Sequence, residues 1–415
     1  MSEKKKKTMI SLFSGAGGLD LGLSTAGFTN KLCVEIDSDA QATLKLNHPR
    51  WKLARPGDIH ALTPEGLLAQ SGLKSRELTL LAGGPPCQPF SKSGYWVTGD
   101  TDRLTDPRAQ TLKAYLDIVR IAQPQVLLLE NVKGIAYSEK DEGLKLLLQE
   151  LNIINKVKKT NYQPVVITLN SANYGVPQLR ERVFIIASRD GKSFTLPQST
   201  HHNITVPRNN LPTFRTAWDA IGDLDVDIWP DDLKPTGKWA GLLPTIPEGQ
   251  NYLWHTERLG GTPLFGWRTR FWSFLLKLAK DQPSWTIQAQ PGPATGPFHW
   301  KGRLLSVREL ARLQTFPDSY EFTGDRRSAH KQIGNAVPPA IGELFGLEIR
   351  RQIFEERVRR KLRLIPDVRP SCPLPESLKK IPKKYWHLRG IHAPHPGTGC
   401  GPRYEKSSTR LRGDT

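Results

Sequence analysis

A doubly wound α/β domain is the fold class that the first 190 residues of this 415-residue chain predict. Three observations predict it. Short apolar runs alternate with helical patterns, two of the runs end in glycine-rich turns, and one, PQVLLLENV, is apolar almost throughout, as a strand covered on both faces must be.

Taken in order, TMISL reads as a strand running into the turn FSGAGG, and LDLGLSTAGF as the helix after it. LCVEID is a second strand, and LTLLAGGPPC a third that ends in a Gly/Pro turn. TLKAYLDIVRIAQ is helical and stops before Pro124, where PQVLLLENV begins the fourth strand. LKLLLQELNIIN is a helix, and YQPVVITLN and RVFIIAS are two further strands.

The character changes after about Arg189. Residues 191–305 hold eight of the eleven tryptophans, are dense in Pro and Gly, and lose the strand–helix alternation. They read as a second, smaller, irregular domain in whose small core most of the eight tryptophans sit. Helical pattern returns at SVRELARLQTF and at AVPPAIGELFGLEIRRQIF. The expected organisation is therefore residues 1–190 as the first part of the α/β domain, 191–305 as the insertion, 306–350 as the return, and 351–415 as a basic extension. Residues 351–365 are expected to finish a helix and the rest to be extended and poorly ordered.

Four widely separated cysteines, Cys33, Cys87, Cys372 and Cys400, make no disulfide framework and fit a reducing cytosol. No apolar run approaches the roughly 18 residues that span a bilayer, and the N-terminus lacks a signal-peptide pattern, so an intracellular, non-membrane protein is expected. His387, His392, His395 and the late cysteines match no common zinc spacing, so no metal is expected. The net charge of +19, from 59 Lys+Arg against 40 Asp+Glu, points to a polyanion partner. Residues 351–415 alone carry 16 basic and 6 acidic residues, and are expected to add nonspecific phosphate affinity.

Five motifs carry candidate chemistry. In Phe13-Ser14-Gly15-Ala16-Gly17-Gly18, glycines between strand and helix let backbone amides approach a ligand, and Glu35 at the next strand end sits where ribose hydroxyls are bound in such folds. An ordinary tight turn with an exposed Glu is an equal reading of those residues alone. In Gly83-Gly84-Pro85-Pro86-Cys87-Gln88-Pro89-Phe90-Ser91, three prolines stiffen a loop that holds a thiol beyond a strand's carboxyl end, where this fold keeps its ligands. Glu130-Asn131-Val132 ends the buried strand, which suits acid chemistry but is also a common strand end. Arg180 and Arg182 lie two apart, so an extended segment points them the same way, toward a phosphate or a base carbonyl, or simply toward solvent. Gln332-Ile333-Gly334-Asn335-Ala336-Val337-Pro338-Pro339 reads as a turn leading into a helix.

In this order, with Gly57-Asp58-Ile59, Asp106-Pro107-Arg108, the TAWDAIGDL segment from Thr216 and the RELARLQTFP run from Arg308, these motifs resemble the blocks of the bacterial DNA cytosine-5 methyltransferases over residues 9–345. The resemblance implies a Rossmann-like S-adenosylmethionine-dependent methyltransferase domain with a target-recognition domain. It implies that Phe13, Gly15, Gly17 and Gly18 line the S-adenosylmethionine pocket, that Glu35 holds the ribose, that Asp58 binds the adenine amino group beside Ile59, and that Asn335 closes the pocket. It implies Cys87 as nucleophile, Glu130 as the acid at the ring nitrogen, Arg182 on the cytosine carbonyl, and Arg180 positioning the same site or its phosphate. Ser91 and Ser93 are then expected against the DNA backbone. Arg268 and Arg270, in GWRTRFW, are read from their mixture of guanidinium and aromatic groups as contacts to double-stranded DNA.

Two departures are local: Ile36 follows Glu35 where some members carry an aromatic, and Ala109-Gln110-Thr111 follows the DPR block where glycine and leucine are more usual. The resemblance further implies a cytoplasmic, nucleoid-associated bacterial enzyme and a companion restriction endonuclease. Two rivals remain open: a tRNA-methylating branch with the same blocks, against which the long Trp-rich insertion argues, and a silent DNA-binding regulator, against which intact Cys87, Glu130 and Arg182 argue.

Overall fold

The computed structural model describes residues 6–85, 109–131, 142–203, 210–266, 270–359 and 361–390. Its centre is a six-stranded sheet built from β1 (Thr8–Leu12), β2 (Thr29–Val34), β3 (Leu80–Gly83), β4 (Val126–Asn131), β5 (Val165–Asn170) and β7 (Glu181–Ser188), in the order β2-β1-β3-β4-β7-β5. β1 to β4 run parallel, and β7 lies antiparallel between β4 and β5. This is the mostly parallel, Rossmann-like sheet that the resemblance implies, and Val126, Leu127, Leu128 and Leu129 of its central strand are fully buried, as their unbroken apolar run predicts.

Side chains of a strand alternate between faces, and two separate cores result. Ile10, Leu12, Leu81, Leu127 and Leu129 face α3 (Pro64–Ser71), α4 (Ala109–Ala122) and α5 (Glu142–Lys158). Met9, Leu80, Ala82, Val126 and Leu128 face α1 (Gly18–Thr25) and a helix from the far end of the chain, Pro339–Gln352. That late helix touches α1 closely. A Cβ on Gly22 would stand 2.1 Å from the Pro339 carbonyl oxygen, so only glycine lets the two backbones meet there. The chain's return after residue 306 is thus a structural layer of the α/β unit, not an appendage to it.

Residues 191–305 hold little regular structure, as expected: α6 (Ala217–Ile221), started by a reciprocal Thr216/Asp219 capping box, several 3-10 turns, and a two-residue strand β8 (Ser284–Trp285). β8 pairs in parallel with β6 (Gln178–Leu179), which ties this segment to the α/β unit. The tryptophans are not its main core. Trp300 alone among them is fully buried, Trp218, Trp239 and Trp254 pack at core margins, Trp272 is half exposed, and Trp267 lies outside the described residues. Leu243, Ile246, Tyr252, Phe265, Phe274 and Phe298 fill the centre of residues 242–298.

Three further helices follow: α7 (Val307–Leu313), α8 (Arg326–Asn335), which the sequence reading took for a turn over Gln332–Asn335, and α9 (Pro339–Gln352). α9 stops at Gln352 rather than near residue 365. Beyond it residues 361–382 are irregular but not loose, and a 3-10 turn follows at Lys383–Leu388. Arg363 pairs with Glu343, Arg369 with Asp223, Glu376 with buried Lys280, and Tyr385 is enclosed in the core of residues 242–298. The composition signalled disorder, but partners far upstream hold this stretch in place. Among the described residues no helix is long and apolar enough to cross a membrane.

Candidate active site

At the carboxyl ends of β1, β2, β3 and β4 lies a cleft of about 660 Å³. Its floor is the turn after β1, where Phe13, Gly15 and Gly17 all take left-handed backbone angles (φ 57°, 53° and 75°). The turn delivers the chain into α1 with no side-chain cap, so the first N–H groups of that helix have no side-chain acceptor. Gly18 has no room for a Cβ, which would lie 2.3 Å from the Val337 carbonyl oxygen. Gly17 does not line the cleft; its Cβ direction faces Leu44 and Tyr320, so it shapes the turn from behind. The Tyr320 hydroxyl donates to the Ala16 carbonyl at 2.6 Å and clamps the same turn.

Glu35 follows β2, and its carboxylate accepts the Gly15 N–H at 2.6 Å and the Asp37 N–H at 2.8 Å. Burial pushes its pKa up, against the pull of those amides. Asp58 and Ile59 stand on the same wall, Asp58 accepting the His60 N–H at 2.9 Å and Ile59 buried. Ile36 lines the cleft while 69% exposed, an apolar surface awaiting a partner. Asn335, at the end of α8, is exposed on the opposite wall.

At the other end of the cleft Glu130 closes β4, with its Oε1 3.1 Å from Arg182 Nε on the antiparallel neighbour β7. Burial raises the Glu130 pKa, and Arg182 and Arg180 pull it back. Gly84 and Pro85 line this end, and a Cβ on Gly84 would lie 3.0 Å from Glu130 Oε2. Arg180 differs from its neighbour. It is fully buried, and its guanidinium donates to the Gly334 and Ala336 carbonyls, each at 2.9 Å, and to that of Ile287 at 3.4 Å. Of the two expectations for Arg180, positioning the site or contacting its phosphate, this geometry suits positioning: its two Nη groups are engaged by the wall that carries Asn335, while Nε has no hydrogen-bond partner among the described residues. Arg180→Ala is expected to lower unfolding free energy by about 3 kcal/mol, since buried carbonyls lose their donor. Urea unfolding measures this, and a change under about 1 kcal/mol would show those bonds to be idle.

Cys87, Ser91, Ser93 and Arg268 lie outside the described residues. Arg270 is exposed, with its guanidinium 5.7 Å from the Phe274 ring. Sequence reading missed Asp20, Lys331 and the pair Gln178–Gln314. Asp20 lines the cleft, its Oδ2 has no hydrogen-bond partner, and burial raises its pKa to about 6. Its position in the first turn after the glycines was the available signal. Lys331 lines the cleft and pairs with Asp37 at 2.7 Å. Gln178 donates to Gln314 at 2.6 Å, and Gln314 to the Ile333 and Ala336 carbonyls, a contact that no local pattern announces.

The family model of the C-5 cytosine-specific DNA methylases matches residues 7–351. The chain belongs to that family. It is a DNA cytosine-5 methyltransferase, and S-adenosylmethionine is its methyl donor. Among its relatives the methyltransferase resembles the Type II methyltransferase M.SacI of Streptomyces achromogenes, 40% identical over 363 residues that cover 81% of this chain and 90% of that one. It also resembles M.NgoFVII of Neisseria gonorrhoeae, 32% identical over 81% of this chain and 85% of that one. In fold it is like a mutant DNMT2 from Spodoptera frugiperda, with a TM-score of 0.56 and 16% identity over 82% of this chain and 99% of that one. The cleft suits the methyl donor on its own evidence: a glycine turn with uncapped N–H groups for a carboxylate, a strand-end carboxylate for hydroxyls, and exposed Ile36 for a flat ring.

Proposed function

We propose that the cleft works as one reaction chamber in which Phe13, Gly15, Gly18, Glu35, Asp58, Ile59 and Asn335 hold the methyl donor, while Cys87, Glu130 and Arg182 act on an extruded cytosine. The observation that carries this reading is the partly buried Glu130–Arg182 pair on the same cleft as the glycine turn and Glu35.

The chemistry follows from these groups. S-adenosylmethionine supplies an electrophilic methyl group. Cytosine carbon 5 is too weak a nucleophile until a thiolate adds at carbon 6, and Cys87 makes that addition. Negative charge then develops on the ring, and Glu130, whose pKa burial raises against the pull of Arg182 and Arg180, donates to N3 in its protonated form. Arg182 holds the Glu130 carboxyl and contacts the ring carbonyl. Arg180 acts through others, fixing the Asn335 wall against β7. A base removes the carbon 5 proton and Cys87 leaves. Carbon 6 is shielded in a duplex, so the base is flipped out at a cost of a few kcal/mol. Ser91, Ser93, Arg268 and Arg270 are assigned to the DNA strands, and residues 191–305 to target recognition.

Relatives named as Type II methyltransferases support a companion endonuclease that cuts the same site when it is unmethylated, in a bacterial cytoplasm where the nucleoid is the substrate. The test is methyl transfer from labelled donor to duplex DNA and to tRNA, with bisulfite sequencing of DNA from expressing cells. Methylation of one duplex motif is the expected result. Incorporation into tRNA alone would overturn the reading.

A further inference from the structure

The match to the family ends at residue 351, so residues 361–390 are additional to the shared architecture. Apart from Lys361, their Lys and Arg residues fall into two groups. Arg363 and Arg369 are consumed internally, by Glu343 and by Asp223. Lys379, Lys380, Lys383, Lys384 and Arg389 are all exposed, and none is ion-paired among the described residues. No acidic residue occurs between 377 and 390.

This second group is mounted on a fixed base. Tyr385 is 3% exposed, stacks on Trp239 at 6.2 Å and donates its hydroxyl to the Lys238 carbonyl at 2.9 Å. Trp386 beside it is 45% exposed, with Arg389 4.8 Å and Lys383 5.9 Å from its ring. Lys238 lies 4.9 Å and Arg270 6.0 Å from the ring of Trp239. Two segments far apart in sequence, one bearing Arg270 and the other Tyr385, are thereby gathered around one tryptophan.

We infer that Lys383, Lys384 and Arg389, seated by Tyr385 against Trp239, form a docking surface for the phosphate backbone of duplex DNA beyond the target site. The inference rests on the DNA-modifying function and deepens it. Unpaired cations on a rigid mount lose little freedom on meeting phosphates, and each phosphate neutralised releases counterions. Arg270 and Trp239 belong to residues 191–305, so the surface adjoins the recognition segment itself.

The experiment compares binding to duplexes of about 14 and about 40 base pairs centred on the methylated site, as a function of salt. For the unaltered protein the longer duplex is expected to give the steeper slope of log Kd against log salt. For K383Q/K384Q/R389Q, which leaves Tyr385 in place, the slope on the longer duplex is expected to fall by about 3, at roughly 0.9 per phosphate contact, and that on the shorter to stay. Affinity for the longer duplex should drop at least about tenfold at physiological salt, with unchanged methyl transfer at saturating DNA. Equal slopes on both duplexes for the unaltered protein would overturn the inference without needing any variant to fold. So would an unchanged slope in the triple variant, whether or not it loses binding to vesicles of anionic phospholipid. Absence of DNA methylation by the unaltered protein would instead strike the function itself.

Discussion

Cys87→Ala is expected to abolish methyl transfer, by at least about 10⁴-fold, while leaving binding to the target duplex intact. The asymmetry follows from what the thiol does. Binding energy comes from phosphates and base edges, which this change does not touch. Chemistry depends on breaking the aromaticity of the ring, which no neighbouring group can replace: an alanine methyl forms no bond at carbon 6, and carbon 5 remains inert toward the donor. Single-turnover methylation and a gel-shift titration on the same preparation separate the two. Turnover within tenfold of the unaltered enzyme would remove the covalent route.

Glu130→Gln is the second large effect. The amide keeps the shape of the side chain and can still hydrogen bond, but it cannot deliver a proton. Loss of a positioned general acid costs typically 10²- to 10⁴-fold, so kcat is expected to fall by about that range with KM for DNA little changed. The pH profile carries the sign. Burial raises the Glu130 pKa from its ordinary value, and Arg182 and Arg180 restrain that rise. The acid works in its protonated form, so the rate is expected to decline as pH climbs through this raised pKa. Glu130→Gln is expected to lack that limb, because nothing titrates there. A variant retaining the same alkaline limb would assign it to another group.

Much of the fold was legible because its signals are local. Val126 to Leu129 announced a strand buried on both faces, and the glycines of FSGAGG announced the turn that now carries three left-handed residues. Glu130 was legible as a strand-end carboxylate, and Glu35 as a strand-end acid, although its bond to the Gly15 amide was not. What stayed hidden depends on distant partners. The spacing of Arg180 and Arg182 is identical to the eye, yet one faces Glu130 and the other is consumed by carbonyls more than 150 residues away. The extension was read from its charge and prolines as loose, whereas Tyr385 and the Glu376–Lys280 pair seat it on a core that lies far upstream. Neither acceptor nor core can be seen from the segment itself.

The central claim is that a thiol bonds to carbon 6 of a flipped cytosine beside the donor. A duplex carrying 5-fluorocytosine at the target tests it directly, since fluorine at carbon 5 cannot be removed as a proton is, and the adduct cannot eliminate. Intact-mass analysis after denaturation, followed by peptide mapping, is expected to find one methylated duplex strand joined to Cys87. Efficient methylation of ordinary duplex with no denaturant-stable product from the fluorinated one, or a link at another residue, would contradict it.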